Sequence, residues 1–133
     1  MISAIRTAFR TWTPWEEALT SAVLSKLGPK TQSILRTQLA AVNKVQRILG
    51  WREIDLYVTK KGRVDRTGLP TLFDDREFVL AKTVTKVGEE RFYTTVTCVG
   101  GYLFSFESDT EVRRFAFRDD CEIEVLEFDS RYA

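Results

Sequence analysis

Apolar residues in the first fifty positions recur every three or four, and beyond about residue 53 they recur mostly every second residue. The two periods predict helices first and strands afterwards. Ile2, Ile5, Phe9 and Trp12 fall on one helical face, with Arg6 and Arg10 beside it. Thr13-Pro14-Trp15-Glu16 then carries a helix-start signature. It offers a hydroxyl that caps free N–H groups, a proline suited to the first helical position, and a glutamate that completes a capping box. The helix it opens presents Trp15, Ala18, Leu19, Ala22, Val23 and Leu27, and Gly28-Pro29 ends it. A further helix is predicted over 30–49, with Ile34, Leu35, Leu39, Ala41, Val42, Val45, Ile48 and Leu49 on its apolar side and Asn43, Lys44, Gln46 and Arg47 opposite. In that reading Gly50 is the terminating glycine and Arg47 complements the negative end of the helix dipole.

Strand periodicity begins where Ile54, Leu56 and Val58 alternate with Glu53, Asp55 and Tyr57. Further strands are predicted over 63–65, 77–87, 91–99, 102–107, 111–118 and 121–128. They are joined by Gly88-Glu89-Glu90, Gly100-Gly101, Ser108-Asp109-Thr110 and Asp119-Asp120, with a longer loop over 67–75. Gly-Gly between strands marks a tight hairpin, because both positions tolerate positive φ. Connections this short force antiparallel neighbours. The expected fold is α+β: two or three N-terminal helices packed on a curved antiparallel β-meander of five to seven strands. It is read as one domain over 1–133, helical over 1–50 and sheet over 51–133. Phe92, Val96 and Cys98 share one parity and Tyr93 and Val99 the other, so both faces of the middle strands carry apolar residues. That predicts a sheet curved around part of its core, or a face covered by a partner chain. On architecture alone, this resembles the cone-shaped ligand-binding folds of the nuclear-transport-factor type, a likeness that implies a pocket between helices and sheet.

Composition narrows the chemistry. The 133 residues are 44% hydrophobic and 29% charged, ordinary for a folded domain. There is no histidine, so the commonest general base near neutral pH and the commonest zinc ligand are both missing. Asp74-Asp75, Glu89-Glu90 and Asp119-Asp120 read as turn residues, since adjacent strand positions point to opposite faces and converge poorly on a metal. No G-x-S-x-G occurs, and Gly100-Gly101 precedes a strand where a phosphate cradle needs a helix. Cys98 and Cys121 match no redox or zinc spacing and read as small buried hydrophobes. Tyr102, Phe104 and Phe106, with Phe115 and Phe117 on the expected next strand, read as core aromatics rather than a base-stacking sheet. A histidine-free nuclease is an enzyme class these residues could serve, through Arg113, Arg114, Arg118, Tyr93 and Glu111, against a charge balance far from the usual basic one. No run approaches the roughly 20 apolar residues of a membrane span, and the N-terminus lacks the continuous apolar core of a signal peptide. The expected location is the cytoplasm. The Arg6 and Arg10 stripe is expected to pack on the domain or a second subunit rather than on a membrane.

The charge is unevenly distributed. Net charge is +1 overall, but residues 1–50 carry +5 and residues 51–133 carry −4. From Asp119 to Asp129, across the last predicted strand and its flanks, the chain holds Asp119, Asp120, Glu122, Glu124, Glu127 and Asp129 and no base, with Ile123 and Val125 between them facing the core. One role for such charge is protection of a sheet edge against aggregation. Another is a docking surface for a basic protein partner. The functional expectation is a small non-catalytic protein that binds a macromolecule, in its concrete form an immunity or neutraliser-type factor, without cofactor or metal. Nucleic acid is disfavoured as the partner, and self-association is compatible. The alternatives are a small-molecule binder or enzyme with the helix–sheet pocket, and third the nuclease.

Overall fold

The computed structural model describes residues 12–133. The stripe formed by Ile2, Ile5, Phe9, Arg6 and Arg10 lies outside the described residues. Helix α1 is Pro14–Leu24 and helix α2 is Pro29–Ala41. The strands are β1 Lys44–Ile48, β2 Glu53–Tyr57, β3 Thr59–Lys60, β4 Arg63–Val64, β5 Phe78–Val87, β6 Glu90–Val99, β7 Tyr102–Ser108 and β8 Glu122–Phe128. Short 3-10 turns occupy Leu49–Trp51, Val112–Arg114 and Ser130–Tyr132. Among the described residues this is an α+β fold, two helices packed on a six-stranded antiparallel sheet.

The helix starts form as the sequence predicts. The Thr13 hydroxyl accepts from the Glu16 N–H at 3.3 Å, and a Glu16 carboxylate oxygen accepts from the Thr13 N–H at 2.9 Å. Trp15 is fully buried, lies edge-on to Phe106 and tilted on Phe92, and donates its indole N–H to the Thr85 hydroxyl at 3.0 Å. Leu19, Val23, Leu35 and Leu39 continue that layer over Ile54, Val96 and Phe106.

Sheet order is β1-β2-β7-β6-β5-β8. Hairpins link β5 to β6 to β7, as a meander would. Beyond them the order departs from simple up-and-down, because the long connections 65–77 and 109–121 let β2 reach β7 and β8 reach β5. Among the described residues the sheet does not close, and β1 and β8 are its two edges. Register shifts at Val79/Ala81, Lys82/Thr83 and Thr97/Cys98 bend it. The β6–β7 turn is the expected Gly-Gly pair, with φ of 64° and 85°. A Cβ on Gly101 would lie 2.9 Å from the Leu72 carbonyl oxygen, so the site requires glycine on two counts.

Two predicted elements are corrected. The helix expected over 30–49 ends at Ala41, and Lys44–Ile48 forms edge strand β1, so the sheet begins well before residue 51. Asn43, just before β1, supports the change: its amide accepts from the Thr59 N–H and donates to the Thr59 carbonyl, clipping the start of β1 to the chain just beyond β2. Gly50 then caps no helix; it sits at φ 65° between Leu49 and Trp51, both also at positive φ, in the β1–β2 turn. The strand expected over 111–118 is instead a 3-10 turn and loop. Its buried residues, Val112, Phe115 and Ala116, are spaced by three and four, a helical period that alternation does not describe.

Candidate functional site

Strand β8 places the predicted acidic residues. Ile123 and Val125 turn inward, paired with Thr85 and Thr83 of β5. Glu122, Glu124 and Glu127 are exposed on the opposite, outer face, together with Asp119 and Asp120 in the preceding loop. The structure therefore brings five of the six to one accessible edge. Asp129 differs: it is part-buried and forks with Arg131. Internal bases answer several of these charges. Lys82 lies 4.0 Å from Glu127 and Lys86 lies 3.9 Å from Glu124, while Arg118 holds Asp120. The first two pairs are long and exposed, worth at most about 1 kcal/mol each.

Register extends the acidic surface across the sheet. Glu127, Lys82, Thr95, Glu107 and Glu53 pair in sequence through β8, β5, β6, β7 and β2. This row lies on the face away from the helices. Asp55, two residues beyond Glu53 on β2, shares that face and is only 6% exposed. One of its carboxylate oxygens has no hydrogen-bond partner. Burial pushes the Asp55 carboxyl up to about 7, assisted by a hydrogen bond and negative charge from Glu53 and by the charge of Glu107. The alternation of β2 puts Asp55 on a strand face, but the cross-strand meeting with Glu107 needs a register no sequence pattern specifies.

The outer face also carries aromatics that the sequence reading assigned to the core. The Thr97/Cys98 shift leaves Phe104 as an extra residue in β7, so Leu103 and Phe106 both turn inward. Tyr102 and Phe104 turn outward, where the Arg66 guanidinium lies 5.2 Å and 5.9 Å from their ring centres. Phe104 also meets Tyr57 edge-on. Phe115 is core, stacked on Phe92, and Phe117 is exposed against Trp51.

Two of the arginines considered for nuclease chemistry are held in ion pairs. Arg114 pairs with Glu90 and Arg118 with Asp120, and Glu111 abuts Gly50. No side-chain hydrogen bond or ion pair among the described residues joins Tyr93 or Glu111 to Arg113, Arg114 or Arg118. Between helices and sheet, a cavity of ≈ 10 Å³ is lined by Leu19, Thr20, Val23, Leu24, Leu35, Val96, Leu103 and Phe106. That is about the space of one water, and the Thr20 hydroxyl already bonds the Glu16 and Glu17 carbonyls. Cys98 is a buried free thiol pushed up to about 12 by burial; Cys121 is half-buried and also free. Among the described residues, no three Cys, Asp or Glu side chains are placed to hold a metal ion, and no helix is long and apolar enough to cross a membrane.

What defines the protein at this level is an α+β fold whose sheet is covered by helices on one face and carries the exposed carboxylates of β8 on the other. Compared with protein-family models, curated proteins and solved structures, the chain matches none of them.

Proposed function

We propose that this protein is a non-catalytic binding protein that engages a basic protein partner through β8 and the adjoining outer face. One observation carries the reading: among the described residues β8 is an end strand, paired with β5 on one side only, with Glu122, Glu124 and Glu127 exposed along it. Its free main-chain groups can accept another strand, while the carboxylates steer a positively charged one. The pairs to Lys82 and Lys86 are weak enough to exchange for partner lysines or arginines. A neutraliser that covers a basic toxin or nuclease is the concrete form of this role. The same edge is open to a second copy of the chain. We assign it to the cytosol, a reading supported by the two unpaired thiols.

A synthetic peptide of alternating lysine and valine is the direct probe. Amide shifts on titration are expected along β8 and β5, with affinity falling steeply as salt rises. Neutralising Glu122, Glu124 and Glu127 to glutamine is expected to weaken binding at least ten-fold while leaving the thermal midpoint within a few degrees. Shifts confined to other surfaces, or unchanged affinity in the triple variant, would overturn the proposal.

A further inference from the structure

We propose that Asp55 and Glu53 form a proton-binding site on the seam between β2 and β7, and that the bound proton latches the β1–β2 hairpin to the rest of the sheet. The inference is independent of the partner-binding role of β8.

The seam is short. β2 joins β7 through three register pairs, Glu53 with Glu107, Ile54 with Phe106 and Asp55 with Ser105, extended by the Ser108 N–H donating to the Arg52 carbonyl at 2.7 Å. Two of those three pairs place carboxyl groups on the outer face. Asp55 is the buried one, and one of its oxygens faces no donor. Glu53, two residues along the same strand, shares its face. Two carboxylates cannot bond each other, because both only accept; a hydrogen bond between them forms only when one of them carries a proton. The proton belongs on Asp55, the more buried group, whose O–H then donates to the Glu53 carboxylate.

The surroundings retain the proton. Glu53 on its own strand and Glu107 on β7 face it, and both disfavour a negative charge there. From β1 the register partner of Asp55 is Gln46, which is neutral. Lys44 lies two positions along β1, with its ammonium over the Tyr57 ring. Arg66, from the segment folded onto this face, is held over Tyr102 and Phe104. No ion pair joins Glu53, Asp55 or Glu107 to a base among the described residues. Losing the proton would leave three carboxylates along a three-pair seam.

The sign follows from the direction of the shift. A carboxyl that titrates higher in the closed state than in the opened chain favours closure most below its ordinary value, and that advantage drains away as pH rises through about 7. Between pH 6 and pH 8.5 the opened fraction of the hairpin should therefore rise about ten-fold.

Carboxyl-carbon NMR titration of the intact protein is the first measurement. The Asp55 signal is expected to turn over near pH 7, and Glu53→Gln to lower that midpoint. A midpoint below about 5 would overturn the site. Amide hydrogen exchange, corrected for its intrinsic pH dependence, is the second. Opening of 44–57 relative to β5 and β6 is expected to rise with pH in the wild type and to stay level in Asp55→Asn. A midpoint near 7 with no pH-dependent opening of 44–57 would overturn the latch. The wild-type titration and the Glu53→Gln variant stand even if Asp55→Asn fails to fold.

Discussion

Gln38 is one polar residue on which three segments converge. It is buried in α2, and its amide nitrogen donates to the Pro70 carbonyl at 2.8 Å and the Gly101 carbonyl at 3.0 Å. Its amide oxygen accepts from the Leu103 N–H at 3.0 Å. Replacing it with leucine keeps most of the volume but strands the Leu103 N–H and the Pro70 carbonyl, at about 1–3 kcal/mol for each group left unsatisfied, while the Gly101 carbonyl keeps its bond from the Leu72 N–H. Gln38→Leu is expected to lower the urea midpoint markedly without changing the slope of the transition; a shift smaller than about 0.5 kcal/mol in equilibrium unfolding would refute the keystone role. Arg47 works similarly, reaching from β1 to the buried Glu16 carboxylate at 2.7 Å and lying over the Trp51 ring. Both residues look like solvent-side polar positions in the sequence. Nothing local distinguishes a buried, fully bonded glutamine from an exposed one.

Elements were legible where their signals were strong and local. The capping box of α1, the Gly28-Pro29 break and the Gly-Gly hairpin each depend on residues within a few positions of one another. The segment 42–48 was not legible: its apolar residues fit a helix face and a strand about equally, and the strand is supported by Asn43 bonding across to Thr59. The C-terminal turn Ser130–Tyr132 is another element built by distant contacts. Tyr132 stacks between Phe73 and Phe78, its hydroxyl accepts from the Asp74 N–H at 3.2 Å, and Arg131 donates to Asp74 at 2.8 Å. Hydrogen bonds from Arg76 and Arg131 hold the Asp74 carboxyl well below the usual carboxylate range. The folded state then binds fewer protons than the unfolded chain, so this contribution is present above about pH 4 and is lost as pH falls below it. Thermal unfolding between pH 2 and pH 5 should accordingly be less steep in Asp74→Asn than in the wild type. Identical acid limbs would show that the clasp adds nothing to stability.

At the scale of the molecule, β5 and β6 lie within the sheet, covered on one face by α1, whereas β1 and β8 are edges. Native-state hydrogen exchange is therefore expected to be slowest in β5 and β6 and faster in β1 and β8, since edge amides open without unfolding the core. Uniform protection across all six strands would contradict this gradient. The two edges also differ chemically: β1 is tied to α1 through Arg47, while β8 presents carboxylates to solvent. That asymmetry, together with the packed helix–sheet interior, directs the functional reading to the surface. The acidic edge itself was visible as six acids without a base; its continuation through Glu107, Glu53 and Asp55 was not.

Period, caps and turn residues are properties of neighbours along the chain, so the amino-acid sequence alone determined the α+β class, both described helix starts, the β5–β6–β7 hairpins and the acid-rich last strand. Strand order, the β1 edge, the outward turn of Tyr102 and Phe104, and the burial of Asp55 beside Glu53 and Glu107 depend on which distant segments pair and in what register. Only tertiary structure decided these, because a single residue's slip in pairing moves a side chain from one face of a sheet to the other.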